Sequence, residues 1–140
     1  SAHHVGPHIT DPEAYVGRLA RYIADRRITI EVCITSNLQT NPDIRRIENH
    51  VFGRMLTERM SATLCTDNRL VSHTTVTGEI SAAVKGFGMD LNQLRNTIIY
   101  GFKRSFYPGR YTEKRQYVRS IIDHYDRVLA EAGLPPAPSA

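Results

Sequence analysis

Apolar residues recur along this chain in two rhythms. Period-two alternation is clearest in Ile28 to Ile34, I-T-I-E-V-C-I. It places Ile28, Ile30, Val32 and Ile34 on one face and Thr29, Glu31 and Cys33 on the other, and its β-branched content predicts a strand. Ser61 to Thr66, S-A-T-L-C-T, is the second strand candidate. Its apolar run, Ala62 to Cys65, stops at Thr66, Asp67 and Asn68, the pattern of a strand covered on both faces. Ala2 to His8, A-H-H-V-G-P-H, is a short extended segment with no room for a helix, and it makes a third candidate.

The other rhythm is helical. Thr10 to Arg27 carries Tyr15, Leu19, Tyr22 and Ile23 on one face, with Thr10 and Glu13 in capping-box spacing and Pro12 in the first turn. Ile44 to Arg59 predicts a helix with a break near Gly53, and Thr74 to Phe87 one that Gly88 ends. Asp90 caps a helix bearing Leu91, Leu94, Ile98 and Phe102. A last amphipathic helix runs from Tyr111 to Ala132 through Tyr117, Ile121, Tyr125 and Val128. Thr35 to Pro42 and the stretch up to Ser72 read as loops, and Leu134 to Ala140 as a flexible tail.

The order is strand, helix, strand, helix, strand, then three helices. Strands separated by crossover helices pair in parallel, which is the α/β class. Three strands do not close a barrel, and a (β/α)8 barrel takes ~250 residues. The expectation is therefore the C-terminal part of a (TIM) barrel, three parallel strands followed by C-terminal helices. Residues 1–133 form it and 134–140 the tail. A chain that opens at Ser1 inside a strand candidate also reads as a segment of something longer. In such folds a carboxylate at the C-terminal end of a strand faces the mouth where ligands bind. Asp67 is that carboxylate.

Composition changes this picture little. The net charge is +4, with 18 Lys and Arg spread over the helices against 14 Asp and Glu, which suits an anionic ligand but supplies no nucleic-acid arm. Cys33 and Cys65 form no C-x-x-C pair and read as reduced, buried thiols of an intracellular, cytoplasmic protein. No run approaches the ~18 apolar residues of a membrane span, and no signal-peptide pattern is seen.

At this point the residues resemble a known family. Glu31 to Asn37, E-V-C-I-T-S-N, is similar to the E-x-C-P-x-S-N signature of the adenosine and AMP deaminases, and Thr66 to Asn68 to their T-D-D-P. Asn49 and His50 fall where the family has a His-Pro, and His4 to His8, H-V-G-P-H, resembles its R-I-G-H-G. Glu79 and Gly101 to Phe106 sit where the family has its Glu-containing and Ser-Phe-ending helices.

The resemblance implies a metal-dependent hydrolase that removes the exocyclic amine of a purine through a metal-bound hydroxide, with zinc the usual metal. It makes Asp67 a metal ligand and a catalytic residue. It makes His8 the histidine that contacts the attacking hydroxide, with His4, and then His3, as competitors. Glu31 becomes a support behind that histidine, or else a buried glutamate satisfied by backbone or arginine. Asn68 stands where the family has a second aspartate that holds the purine ring. Ser36 and Asn37 read as loop-shaping residues that bond backbone. The family's remaining metal ligands and its proton-donating glutamate have no counterpart in these 140 residues. A cut barrel exposes strand edges, so association with the missing N-terminal half or with itself is expected. The altered G-H-G, the missing proline after Cys33 and the Asp-Asn pair favour a second reading, a degenerate, non-catalytic module that acts in binding or assembly.

Overall fold

A computed structural model of the chain describes residues 11–135. The helical face read from Tyr15 to Ile23 forms helix α1, Pro12–Asp25. Its cap is Asp11, whose carboxylate accepts the Ala14 N–H at 3.0 Å; the Thr10 of the expected capping box lies outside the described residues. After α1 come strand β1, Ile30–Val32, helix α2, Ile34–Thr40, a 3-10 turn at Ile47–Asn49, helix α3, Phe52–Thr57, and strand β2, Ala62–Leu64. Helices α4, Arg69–Ser72, α5, Val76–Phe87, α6, Leu91–Arg104, and α7, Tyr111–Glu131, complete the order.

The two strands pair in parallel, Ile30 with Ala62, Glu31 with Thr63 and Val32 with Leu64. They are the strands of the described residues, so the three-stranded expectation is met by two. The third candidate, Ala2 to His8, lies outside the described residues, as does most of the expected tail. Both strands are shorter than predicted. Ile34, expected at the end of β1, instead opens α2, and the expected loop at Thr35 to Pro42 is mostly that helix. Ile34 is fully buried and Leu38 packs on the same core, an i, i+4 pair that secures the turn against the low helix propensity of T-S-N. Of the helix expected over Ile44 to Arg59, Ile44 to Arg46 is not helical, Ile47–Asn49 is a 3-10 turn, and the α-helix is α3 alone, with Gly53 inside it rather than at a break. The loop expected after Asp67 contains α4.

Alternation decides the faces of the sheet. Val32, Ala62 and Leu64 join Ile34, Phe52, Ala83 and Met89 in the core. Phe52 and Phe87 meet edge to face with centroids 5.3 Å apart, fastening α3 to α5. Helix α5 ends where predicted, at Gly88, whose φ of 60° suits the left-handed cap. Asp90 caps α6 in a full capping box with Gln93.

Helix α6 approaches β2 on Gly101, where an added Cβ would lie 2.7 Å from Thr63 Oγ1. Glycine is thus demanded there by a close approach, not by its backbone angle. Gly101→Ala is expected to destabilise the fold by about 1–3 kcal/mol through overpacking. In a Thr63→Ala background the same change is expected to stabilise by up to about 1 kcal/mol, because only the helix-propensity gain remains. Urea unfolding of the four proteins measures both, and a cost that persists without the Thr63 hydroxyl would locate the strain elsewhere.

Candidate active site

The N-terminus of α2 is where the site is built. A helix leaves its first N–H groups unpaired, and the N-cap here, Cys33, supplies no side-chain bond. Glu79, forty-four positions on, does so. Its Oε2 accepts the Thr35 N–H at 3.2 Å, and its Oε1 accepts the Thr74 hydroxyl at 3.0 Å. Glu79 is wholly buried, so these two bonds are what make its place in the core tolerable.

The next two residues of α2 reach different segments. The Ser36 hydroxyl donates to Asp67 Oδ2 at 2.8 Å. Ser36 was expected to bond backbone; it bonds instead the carboxylate at the end of β2, and its own C=O receives the Thr40 hydroxyl at 2.8 Å. The Asn37 side-chain oxygen lies 3.0 Å from His50 Nε2. His50 Nδ1 accepts the Phe52 N–H at 3.0 Å, so the proton sits on Nε2 and is donated to Asn37. Thr35, Ser36 and Asn37 therefore tie α2 to α5, to the end of β2 and to the entry of α3.

Asp67 itself has a φ of 55°, the left-handed region that a non-glycine residue enters at a cost. It is exposed, and among the described residues its second oxygen, Oδ1, accepts no hydrogen bond. Asn68 follows as the N-cap of α4, its Oδ1 accepting the N–H groups of Leu70 at 3.2 Å and Val71 at 3.3 Å. Those bonds identify oxygen and nitrogen and leave the amide NH2 uncommitted.

Glu31 is exposed on the face opposite the core, opposite Thr63, and forms no hydrogen bond among the described residues. Glu31 is thus not buried against backbone or arginine among the described residues: α6 covers this face at Thr63 and leaves Glu31 open. His8, His4 and His3 lie outside the described residues. Cys33 and Cys65 are free and half-buried, less enclosed than expected. Burial pushes the Cys33 thiol up, and the Asp67 and Glu79 carboxylates push the same way. Burial does the same at Cys65, with Glu31 and Cys33 adding to it. Among the described residues no three His, Cys, Asp or Glu are grouped to hold a metal ion.

The sequence pointed to Asp67 and Asn68 by their place after a strand, and it marked Glu79 and His50 only by position. What it missed is that Glu79 caps a helix distant in the chain and that His50 is a structural link. A buried carboxylate in the first turn of α5 and a histidine two residues before a helix were the available signals.

Two measurements follow. Burial holds the His50 pKa below the ordinary imidazole value of 6.5, opposed only by Glu79. A base with a lowered folded-state pKa contributes stability above its unfolded value, and that stability is lost as pH falls from there through the lowered value. Protonation would also turn Nδ1 into a donor facing the Phe52 N–H. Unfolding free energy is expected to fall between pH 7 and pH 5, and His50→Gln to flatten that slope. At position 79, Glu79→Ala is expected to cost about 3 kcal/mol, from a cavity and an unpaired Thr35 N–H. Glu79→Gln is expected to cost less than about 1.5 kcal/mol, because the Thr74 hydroxyl can turn to accept the amide. Equal costs in urea unfolding would show that the cap is not what matters.

Comparison with known proteins gives the family. The family model described as adenosine deaminase matches residues 5–125. The chain is 35% identical over 120 residues to an adenosine deaminase of Mycobacterium sp. strain JLS, covering 86% of this chain and 32% of that protein. It is 35% identical over 112 residues to adenosine deaminase 1 of Streptomyces coelicolor, covering 80% of this chain and 28% of that one. Among solved structures, an Arabidopsis N6-mAMP deaminase superposes with a TM-score of 0.64 at 25% identity, over 81% of this chain and 31% of that chain. The chain thus spans about a third of the length of the relatives it matches. Sequence, motif order and backbone converge, and the chain belongs to the adenosine deaminase family.

Proposed function

We propose that this chain supplies the strand-end aspartate and part of the purine contact of a metal-dependent purine deaminase, as the C-terminal part of a (β/α) barrel (residues 1–133, with 134–140 a tail). The observation that carries the reading is the Ser36–Asp67 hydrogen bond. It spends one carboxylate oxygen on orientation and leaves Oδ1 facing outward at the end of β2. A hard oxygen donor held this way fits a divalent cation such as zinc. The fit covers one ligand. A catalytic zinc takes about three protein ligands, so the others come from elsewhere than the described residues. A bound divalent cation would supply Lewis acidity toward water and the purine carbon.

The chain's own residues do the rest. Asn68 has its oxygen committed to α4 and can only donate, so its NH2 suits a ring nitrogen with a lone pair. Asp67 is oriented by Ser36, and Ser36 by the capped turn of α2. His8 and Glu31 complete the proposal as the hydroxide-contacting histidine and its support. The relatives' names, adenosine deaminase and N6-mAMP deaminase, support a substrate among the purine nucleosides or nucleotides. A second reading, a non-catalytic module of the same fold, is supported by the Asp67-Asn68 pair where the family has two aspartates.

The test is a chimera in which this chain replaces the 120 aligned residues of the Mycobacterium sp. adenosine deaminase. The chimera is expected to hold about one zinc per chain and to release ammonia from adenosine. Asp67→Ala is expected to lose both. Ser36→Ala is expected to keep the fold and lose about 10–100-fold in activity or zinc affinity, as removal of a ligand's orienting partner does. A folded chimera that is metal-free and inert supports the binding module. An active one indifferent to Asp67→Ala overturns the assignment of that residue.

A further inference from the structure

A second concavity of the described residues lies at the other end of the strands. It is a cleft of about 1110 Å³ between α6 and α7, floored by the residues that lead into the sheet. Ser61, directly before β2, lines it, whereas Asp67 follows β2. The two therefore lie at opposite ends of β2, at most roughly 20 Å of chain apart.

Seven of the chain's 18 Lys and Arg line this cleft, so it is strongly basic. Arg27 and Arg59 enter from below. Each stands three residues before a registered strand position, Ile30 and Ala62, and each has a left-handed φ, 52° and 54°. The same turn thus presents both guanidinium groups at one end of the sheet. Lys103 and Arg104 come from the last turn of α6, and Lys114, Arg115 and Arg119 from α7. The only lining carboxylate, Asp123, is 3.3 Å from Arg119. Among the described residues Arg27, Arg59, Lys103 and Arg104 form no ion pair.

The commonplace account is a solvated surface with scattered cations. It does not explain why they crowd the start of α7. The positive end of a helix dipole favours acidic residues, yet the first turns of α7 hold Lys114 and Arg115 beside a single acid, Glu113. That glutamate is committed to the Arg110 N–H at 2.7 Å. Local preference is therefore broken in the direction that deepens a positive field, and such breaks gather at functional sites. Low-dielectric walls focus that field inside a cleft.

We propose that this cleft is a binding site for a small polyphosphate anion, remote from Asp67. Cations converge on it from several elements, which favours a compact ligand with charge on several adjacent phosphates over one phosphate or a long polymer. Arg115 already rests over the Tyr111 ring, 6.0 Å from its centroid. Stacking there is already taken up, so phosphate is the part of a ligand that the site addresses.

The test is titration calorimetry of the full 140-residue chain with sodium tripolyphosphate at low salt. One-to-one binding with a Kd on the order of 10 μM is expected, weakening about tenfold or more when salt is raised to 0.3 M. Arg104→Glu/Arg115→Glu is expected to weaken it at least tenfold while retaining the helical circular dichroism, and Asp67→Asn to leave it unchanged. If the double charge reversal does not fold, Arg59→Gln/Lys103→Gln makes the same comparison. ATP bound more tightly than tripolyphosphate would make a nucleoside polyphosphate the ligand, and equal affinity would make it the phosphate chain alone. Absence of binding, equal binding by the charge variants, or binding of a 20-residue oligothymidylate but not tripolyphosphate would overturn the proposal.

Discussion

The carboxylate of Glu79 is the contact on which the rest of the candidate site depends. The N-cap position of α2 is held by Cys33, whose side chain provides no cap. The Thr35 N–H would point into a partly buried space without a partner. Glu79 meets it from α5, and the wholly buried acid is itself satisfied by that N–H and the Thr74 hydroxyl. Each group makes the other's burial tolerable, and together they fix where α2 starts. The position of Ser36 then follows from helix geometry, and with it the orientation of Asp67. A mobile loop at Thr35 to Asn37 would leave that carboxylate to solvent.

The same arrangement separates what stabilises from what can react. The Asn37 side-chain oxygen, the two ring nitrogens of His50 and the Phe52 N–H form a relay in which each is paired within the protein. The carboxylate of Asp67 and the amide of Asn68 are each half committed. One oxygen of Asp67 is held by Ser36, and the oxygen of Asn68 is held by α4. What remains free is an anionic acceptor beside a neutral donor, after the left-handed turn at Asp67. That pair can address a cation and a polar heterocycle at once. The basic cleft, at the far end of the strands, shares no residue with it.

Much of this was legible in the sequence, for local reasons. Gly88 and Asp90 end and begin helices through their own backbone and side-chain chemistry, and the structure puts the boundary where they stand. The parallel pairing of the two described strands follows from crossover connections, and Asp67 was marked by its place after an apolar run. The failures are tertiary. T-S-N-L-Q-T has the composition of a loop and folds as a helix because Ile34 and Leu38 find the core and because its cap is supplied from position 79. The partner at position 79 lies outside any window of neighbouring residues. The start of α3 is the exception: the ring of His50 takes the Phe52 N–H two residues on, a local bond that hydrophobic spacing does not reveal. Glu31 shows the converse, since alternation put it correctly opposite the core but could not say whether that face is covered.

The central claim, that the start of α2 is pinned by partners outside it, is tested most directly by amide hydrogen exchange read residue by residue. The account predicts that the Thr35 and Phe52 amides, whose acceptors are side chains of Glu79 and His50, exchange only with global unfolding, as core amides do. Exchange of Thr35 at the rate of an open loop, while the amides of β1 and β2 stay protected, would contradict it and leave Asp67 without a fixed partner.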